Sequence, residues 1–399
     1  MHTSTVENLR ARAETLASSL DRLINADAAY AADADVLILE DASFALTLWA
    51  VARVLDAHQD TEISASTSFE GRSPKVFVRN RSYATSLALH ELLQEVGCRD
   101  SVAISGIDAQ GKISVETLAP VDFLNYHNFH GTLAMGKLPK SHGALADMAQ
   151  AFSQYLLASG GAVPSARLVL GGNTKHMSIT FNETLGRFFA QVRGLRGKGK
   201  NRCLEASEPL PCAESSQGVK QQSISLRGFG GVFSGAKADC GGQLLAQVAC
   251  DVLDAWRGSA SVLDFGCGNG SVTVQLLEHS SQLQSVTATD IDSDAVRSAI
   301  ANVGGDSRVS VTWDDAAARL PDAAFDLVLL NPPFHDGTAV DMTLVRPLLA
   351  ASHRLLVPGG TLLVVYNSHA RYRGVIEDLF GASTQVMRDK TFTVVRATR

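Results

Sequence analysis

Asn331-Pro332-Pro333-Phe334 is the stretch of this 399-residue chain whose residue types most directly suggest chemistry. A base or amide NH2 is a poor nucleophile, because its lone pair is conjugated with the neighbouring π system. Two acceptors aimed at its two N–H groups favour pyramidalisation and turn the lone pair toward an electrophile. The side-chain oxygen of Asn331 and the carbonyl oxygen of Pro332 are candidates for those acceptors. Successive prolines fix φ and stiffen the backbone that presents them. Phe334 is placed to stack on a substrate ring. An isolated Asn-Pro-Pro after a strand is only a turn. Its setting decides the matter.

That setting begins with Gly266, Gly268 and Gly270, which stand at every second position after the apolar run Ser261–Leu263 and Asp264. Strand, glycine turn and helix form the opening unit of a doubly wound α/β sheet. A dinucleotide fingerprint needs glycine where this chain has Ser271, so a nucleoside without phosphates is the favoured ligand. The stretch Gln284–Asp290 reads as a second strand ending in an acid that can accept from both ribose hydroxyls. Ile291 follows it in the predicted cofactor set. Val309–Asp315 reads as a third strand, with Asp314 or Asp315 touching an adenine amino group. Ala324–Leu330 reads as a fourth, delivering Asn331. Each group then lies at a strand's carboxyl end, where open α/β sheets bind ligands. Asp264 is expected to orient the loop or to approach the donor's amino group. Cys267 is expected to serve as a small residue between two glycines.

This series resembles the class I S-adenosylmethionine methyltransferases that act on exocyclic amino groups. For an activated sulfonium donor, proximity and in-line orientation supply most of the catalysis, and no metal is expected.

The length suggests two domains. The sequence divides into a first half at 1–215 and a second at 216–399, with Gly197–Ser223, rich in Gly, Lys, Ser, Pro and Gln, holding the boundary and a short strand around Asn201–Leu204 assignable to the first half. In the first half, Ala34–Glu40 reads as a strand and Asp41–Trp49 leads into a helix without a glycine turn between them. Two stretches echo the second half. Val121–Gly131 resembles Asp326–Gly337, and Arg167–Thr174 resembles Leu362–Ser368. An internal duplication with a degenerate first copy is the reading.

The net charge is −6. Residues 225–399 hold 14 Lys and Arg against 18 Asp and Glu, and the remainder 21 against 23, so neither half is basic. Any nucleic-acid contact must use local patches. One such run is Arg193, Arg196, Lys198, Lys200 and Arg202, equally readable as a solvated linker. The six cysteines include no C-x-x-C pair, which argues for a reducing cytoplasm. The N-terminus lacks a signal-peptide layout, and no apolar run is long enough for a membrane span.

Asn331–His335 together with two such halves resembles the bacterial ribosomal RNA guanine-N2 methyltransferases. The resemblance implies two tandem class I methyltransferase (Rossmann-like) domains, the N-terminal one degenerate and RNA-binding. It implies S-adenosyl-L-methionine as cofactor and guanine in 23S or 16S rRNA as substrate, carried by ribosomal RNA, a ribosomal subunit or an assembly intermediate. A monomer is expected. Val232-Phe233-Ser234 looks like that family's entry to the cofactor site. Lys137–Lys140 leans toward the large-subunit members, and Phe334–Gly337 toward the small-subunit ones. Methylation of a protein glutamine amide or of adenine N6, and an inactive RNA-binding or assembly protein, are the alternatives.

Overall fold

The computed structural model describes all residues except 1, 30–33, 62–74, 160–164, 212–217, 222–223, 334–341 and 371. The chain falls into two compact units, Met1–Ser215 and Ser216–Arg399. Among the described residues, no helix is long and apolar enough to cross a membrane.

The N-terminal unit contains β1 (Val36–Leu39), β2 (Val76–Arg79), β3 (Val102–Ile104), β4 (Leu133–Lys137), β5 (Arg167–Asn173), β6 (Phe189–Gly194) and β7 (Asn201–Pro209). They form one sheet in the order β3-β2-β1-β4-β5-β7-β6. The first five are parallel, and β6 and β7 run antiparallel as a closing hairpin. A short antiparallel pair follows, β8 (Gly218–Gln221) and β9 (Ile224–Arg227). The C-terminal unit contains β10 (Ala260–Phe265), β11 (Leu283–Asp290), β12 (Val309–Trp313), β13 (Phe325–Leu330), β14 (Leu356–Asn367), β15 (Ser383–Arg388) and β16 (Phe392–Thr398). Its order is β12-β11-β10-β13-β14-β16-β15, the same permutation as in the first unit.

The strands read as continuous apolar runs because helices cover both faces. Successive side chains alternate between two cores. Leu327, Leu329, Leu363 and Val365 pack with Leu245 and Leu253 of the helix Cys240–Asp254. Val328, Leu330, Leu362 and Val364 pack on the other side with Val345, Leu349 and Ile376. Both faces being apolar, a polar residue inside a strand is conspicuous, and Asp264 is one.

The duplication is therefore visible as topology, although one of its echoes was misplaced. Arg167 does stand where Thr361 stands, each paired from the neighbouring strand in the same way. Val121–Gly131, by contrast, is not a strand. Pro120 opens the helix Pro120–Tyr126, and the true partner of β13 is β4. A short apolar run cannot separate a strand from a buried helical turn. The region 1–30 is also two helices, His2–Leu16 and Ser19–Ala28, because Ser18 and Asp21 form a capping box. The short strand expected around Asn201–Leu204 is present as the longer β7, which belongs to the first sheet.

Candidate active site

β10 ends at Phe265, and the chain turns through Gly266, Gly268 and Gly270 with φ of 76°, 54° and 78°. Such values favour glycine. At Gly270 space also matters, since a Cβ there would stand 3.1 Å from both Cα and Cβ of Ala299. At Gly268 a Cβ would meet nothing within 4 Å. The bare backbone there faces open space, as a ligand cradle requires. The loop passes close to the Asn-Pro-Pro stretch: a Cβ on Gly266 would stand 3.9 Å from the carbonyl oxygen of Asn331.

Two carboxylates lie beneath the loop. Asp264 is 3% exposed and accepts from Thr273 Oγ1 at 2.6 Å. Burial pushes its carboxyl up to about 6, against the hydrogen bond from Thr273. Asp290 accepts from the backbone N–H of Gly268 through Oδ2 and of Asp292 through Oδ1, each at 2.9 Å. Burial also raises its pKa, with a smaller push from the charge on Asp264, while those backbone bonds oppose the rise. Among the described residues neither acid has a cationic partner. Two buried carboxylates without a cation form a site that favours a positively charged ligand. S-adenosylmethionine carries a sulfonium and an ammonium, so the donor set fits it. Each Asp290 oxygen keeps a lone pair for a ribose hydroxyl.

The same burial, with help from Asp290 and Asp264, holds the Cys267 thiol well above its usual range. It is a small buried residue, as expected, and a poor nucleophile. The polar pair after β12 divides. Asp314 is buried, with Oδ1 accepting from Asp315 N and Oδ2 from Arg319 N, so it shapes its own turn. Asp315 is exposed and is the member of the pair turned outward.

The site also depends on residues that the motifs do not announce. Trp313, fully buried, donates from Nε1 to the carbonyl oxygen of Ile291 at 2.9 Å, fixing the backbone beyond Asp290. Asn269, inside the glycine loop, donates to the carbonyl oxygens of Gly235 and Lys237 at 2.9 and 2.8 Å. Asp294 accepts from Gly231 N, and Ser298 Oγ from Phe229 N. The turn carrying Phe233 is thus bonded both to the loop and to the helix Ser293–Val303. Phe233 itself is 63% exposed. Its apolar ring in solvent, on a tethered turn, is what a stacking platform looks like.

Asp239 is the most consequential of these. It caps the helix Cys240–Asp254 by accepting from Gly242 N at 2.9 Å, and the same Oδ2 accepts from Asn331 Nδ2 at 3.1 Å. A carboxylate accepts and cannot donate. The Asn331 amide is therefore locked with its nitrogen toward Asp239 and its Oδ1 turned the other way. That Oδ1 is buried and, among the described residues, has no hydrogen-bond partner. A buried acceptor left open is rare unless something else is meant to fill it. The glycines after Cys240 have a reason too. A Cβ on Gly241 would stand 3.1 Å from Asp239 Oδ2 and from the Phe392 ring. The sequence motifs did not single out Asp239. Pro332 is buried and Pro333 exposed, whereas Phe334 lies outside the described residues.

With that geometry in place, the comparisons with known proteins can be read. Residues 223–396 match the methyltransferase small domain. The ribosomal RNA large subunit methyltransferase G of Shewanella amazonensis is 27% identical over 315 residues, 76% of this chain and 77% of that protein. The protein of the same name from Ectopseudomonas mendocina is 29% identical over 62% of this chain and 67% of its own length. The ribosomal RNA small subunit methyltransferase C of Erwinia tasmaniensis is 29% identical over 44% of this chain and 50% of its own. Among solved structures, a T. Thermophilus 16S rRNA N2 methyltransferase in complex with AdoMet and guanosine superposes with a TM-score of 0.64, at 18% identity, covering 96% of this chain and 92% of that one. A likeness at that identity speaks for the fold, and it spans both units. This chain has the fold of two tandem class I methyltransferase domains, its residues 223–396 match the methyltransferase small domain, and the curated proteins it is similar to are bacterial ribosomal RNA methyltransferases.

Proposed function

We propose that the protein is an S-adenosylmethionine-dependent methyltransferase acting on the exocyclic N2 amine of a guanine in ribosomal RNA. The observation that carries this reading is Asn331, whose amide is oriented by Asp239 and whose buried Oδ1 has no partner among the described residues. An NH2 group is the donor that such an acceptor lacks. Its N–H to Oδ1 bond draws the lone pair out of conjugation. The Pro332 carbonyl is the second acceptor in this scheme. Phe334, from its place in the sequence, covers the base. Gly266, Gly268 and Gly270 cradle the cofactor, with Asp290 on its ribose and Asp264 beside its cationic end. Ile291 and Asp315 bound the adenine, and Phe233 closes the mouth. S-adenosylmethionine, when bound, supplies a methyl group on a sulfonium.

A base within a duplex shows its amine only edge-on and cannot be stacked upon. An unpaired guanine in RNA, free or in an assembly intermediate, is the substrate form that follows. The large subunit is the better assignment. Relatives of that type align with about three quarters of this chain, and the small-subunit relative with less than half. Guanine N2, adenine N6 and cytosine N4 present the same NH2 chemistry, and the choice of guanine follows the resemblance of the Asn331–His335 motif and the paired halves to the guanine-N2 enzymes. The test is single-turnover methylation of purified 23S and 16S rRNA, followed by nucleoside analysis. N2-methylguanosine in 23S rRNA is expected. Product found only as N6-methyladenosine, or none at all on either RNA, overturns the reading.

A further inference from the structure

We propose that the carboxyl edge of the N-terminal sheet, centred on the β6–β7 turn, is a docking surface for RNA phosphates. This rests on the ribosomal RNA reading above and adds where the RNA is held.

The first observation is the distribution of charge. The chain is acidic overall, at −6. Yet residues 173–202 contain seven Lys and Arg and one acid, Glu183. Lys175, Arg187, Arg193, Arg196, Lys198, Lys200 and Arg202 are all exposed. Arg193 is tied to Glu205. Among the described residues, Lys175, Arg196, Lys198 and Lys200 have no acidic partner. Leaving like charges together and unpaired costs stability, and a polyanion relieves that cost.

The second observation is where these charges sit. β1 to β5 are parallel, so their carboxyl ends share one edge. β7 runs antiparallel to β5, with Asn201 opposite Asn173. The turn between β6 and β7 therefore lies at that same edge. Thr174 donates to the carbonyl oxygen of Lys200 from N at 2.8 Å and from Oγ1 at 3.2 Å, which brings Lys175 against the turn. Lys198 N donates to Asn201 O at 2.9 Å. The lysines stand on a fixed backbone, which lowers the ordering cost of each contact.

The third observation is a cleft of about 510 Å³ lined by Arg22, Asn173, Lys198, Lys200 and Asn201, with only Leu23 and Ala26 apolar. A protein partner would need an apolar or aromatic centre. A cationic, polar cleft suits phosphate and ribose. In the C-terminal unit the corresponding turn, between β15 and β16, carries Arg388, Asp389 and Lys390, two bases and an acid, so the longer acid-free run 193–202 belongs to the first copy.

The test uses the full chain and a labelled 23S rRNA transcript. Lys198→Ala with Lys200→Ala should raise the RNA Kd about 10-fold near 0.1 M salt. It should also flatten the slope of log Kd against log salt by about 1.4 to 1.8, as expected for two lost phosphate contacts. S-adenosylmethionine affinity, read by calorimetry, should not move. The charge-matched control is Arg10→Ala with Arg12→Ala, residues paired with Asp56 and Glu95. It should leave RNA affinity within about two-fold. A Lys198→Gln, Lys200→Gln pair repeats the measurement should the first variant melt early. If the wild-type protein methylates rRNA but the lysine variants behave like the control in Kd and slope, the surface is wrong. If the wild-type protein methylates no rRNA, the proposed function itself falls.

Discussion

The two units share one topology and differ in a handful of side chains. Helix starts, strand registers and loop φ values align them residue by residue. Glu40 takes the place of Gly266, Ala42 of Gly268 and Phe44 of Gly270. Glu40 and Phe44 keep positive φ, 55° and 65°, where their counterparts have 76° and 78°. Asn80 takes the place of Asp290 and still accepts a loop N–H through Oδ1, from Asp41 N at 2.8 Å. Ile38 replaces Asp264. Arg79, fully buried, lies 4.0 Å from Glu40. Lys137 replaces Asn331 and pairs at 3.2 Å with Asp21, near the start of the helix Ser19–Ala28. In the other unit, Asp239 at a helix start holds Asn331. The first copy thus keeps the backbone path and the bonds that support it, and sets cations, Arg79 near Glu40 and Lys137 beside Asp21, among its charged groups. In the second, the buried acids Asp264 and Asp290 have no cationic partner among the described residues. A fold persists on its backbone bonding, and the charge left uncompensated in the second copy is what marks a ligand site.

The contrast breaks first at Asn331 and Gly268. Asn331→Ala should lower the methyl-transfer rate by about 10²-fold or more, the scale seen when one preorganised polar group is removed. Cofactor affinity should stay nearly unchanged, since Asn331 acts on the acceptor. Rapid-quench transfer and calorimetry separate the two, and full activity in that variant would remove Asn331 from the mechanism. Gly268→Val should abolish cofactor binding. The chain itself has room for the added carbon, so the block falls on the ligand, beyond a strain of about 1–2 kcal/mol from the positive φ. Thermal melting bounds that strain. The comparison also predicts one cofactor per wild-type chain and none in Gly268→Val. A stoichiometry of two would mean that the N-terminal loop is a working site.

A smaller effect is expected at Asp239, which acts through Asn331. Asp239→Asn keeps size and shape but can donate as well as accept, so the Asn331 amide is free to turn over. The turnover rate should fall about 10-fold with cofactor affinity preserved, and Asp239→Glu should restore part of it. An equal loss of melting temperature and rate, without recovery in the Glu variant, would reduce Asp239 to a helix cap.

Much of this was legible beforehand because it depends on local pattern. The glycine spacing, the acid closing β11 and the buried runs of β10 and β13 are short-range signals, and they identify the second unit's strands. What the sequence hid was long-range. Nothing near Asp239 announces a bond to a residue ninety-two positions away. Asp314 and Asp315 are adjacent, and only the turn geometry sends one inward and the other outward. The run Arg193–Arg202 was ambiguous between linker and RNA contact: a short strand around Asn201–Leu204 was readable, but its extension to Pro209 and its pairing with β5, which fix where these charges sit, are long-range. The same holds for Val121–Gly131, where tertiary packing chose helix.

Asp264 offers a pH test. Its pKa is about 6 in the fold and about 4 unfolded, so the folded state holds a proton that the unfolded state releases between those values. The stabilisation from that proton is complete below about pH 4 and is lost as pH rises through 6. The ligand-free protein should therefore gain about 2 kcal/mol from this group as pH drops from 7 to 4. The difference in melting between wild type and Asp264→Asn isolates it, because Asp290 and Asp41 are raised as well. Cofactor affinity should move the other way, weakening below pH 6 as the carboxylate takes up its proton. A pH-independent gap in melting would mean that Asp264 is ionised throughout.

The smallest effect separates the two buried acids beneath the two loops. Asp41, in the first unit, accepts from Thr47 N and Thr47 Oγ1 at 2.8 Å through Oδ2 and from Ser43 Oγ at 3.0 Å through Oδ1. Burial raises its pKa against those three bonds. In Asp41→Asn the amide oxygen can take over both bonds from Thr47. The amide nitrogen can donate to Ser43 Oγ, whose hydroxyl accepts as readily as it donates. Every group then remains paired and a buried charge is gone, so stability should change by no more than about 1 kcal/mol. Cofactor affinity should not change at all. Asp264→Asn, chemically the same substitution, should cost binding because the lost charge faces the cationic ligand. Denaturant melts and calorimetry on the pair decide it. If Asp41→Asn weakened cofactor binding as much as Asp264→Asn, the first loop would be part of a ligand site and the division of labour between the copies would be wrong.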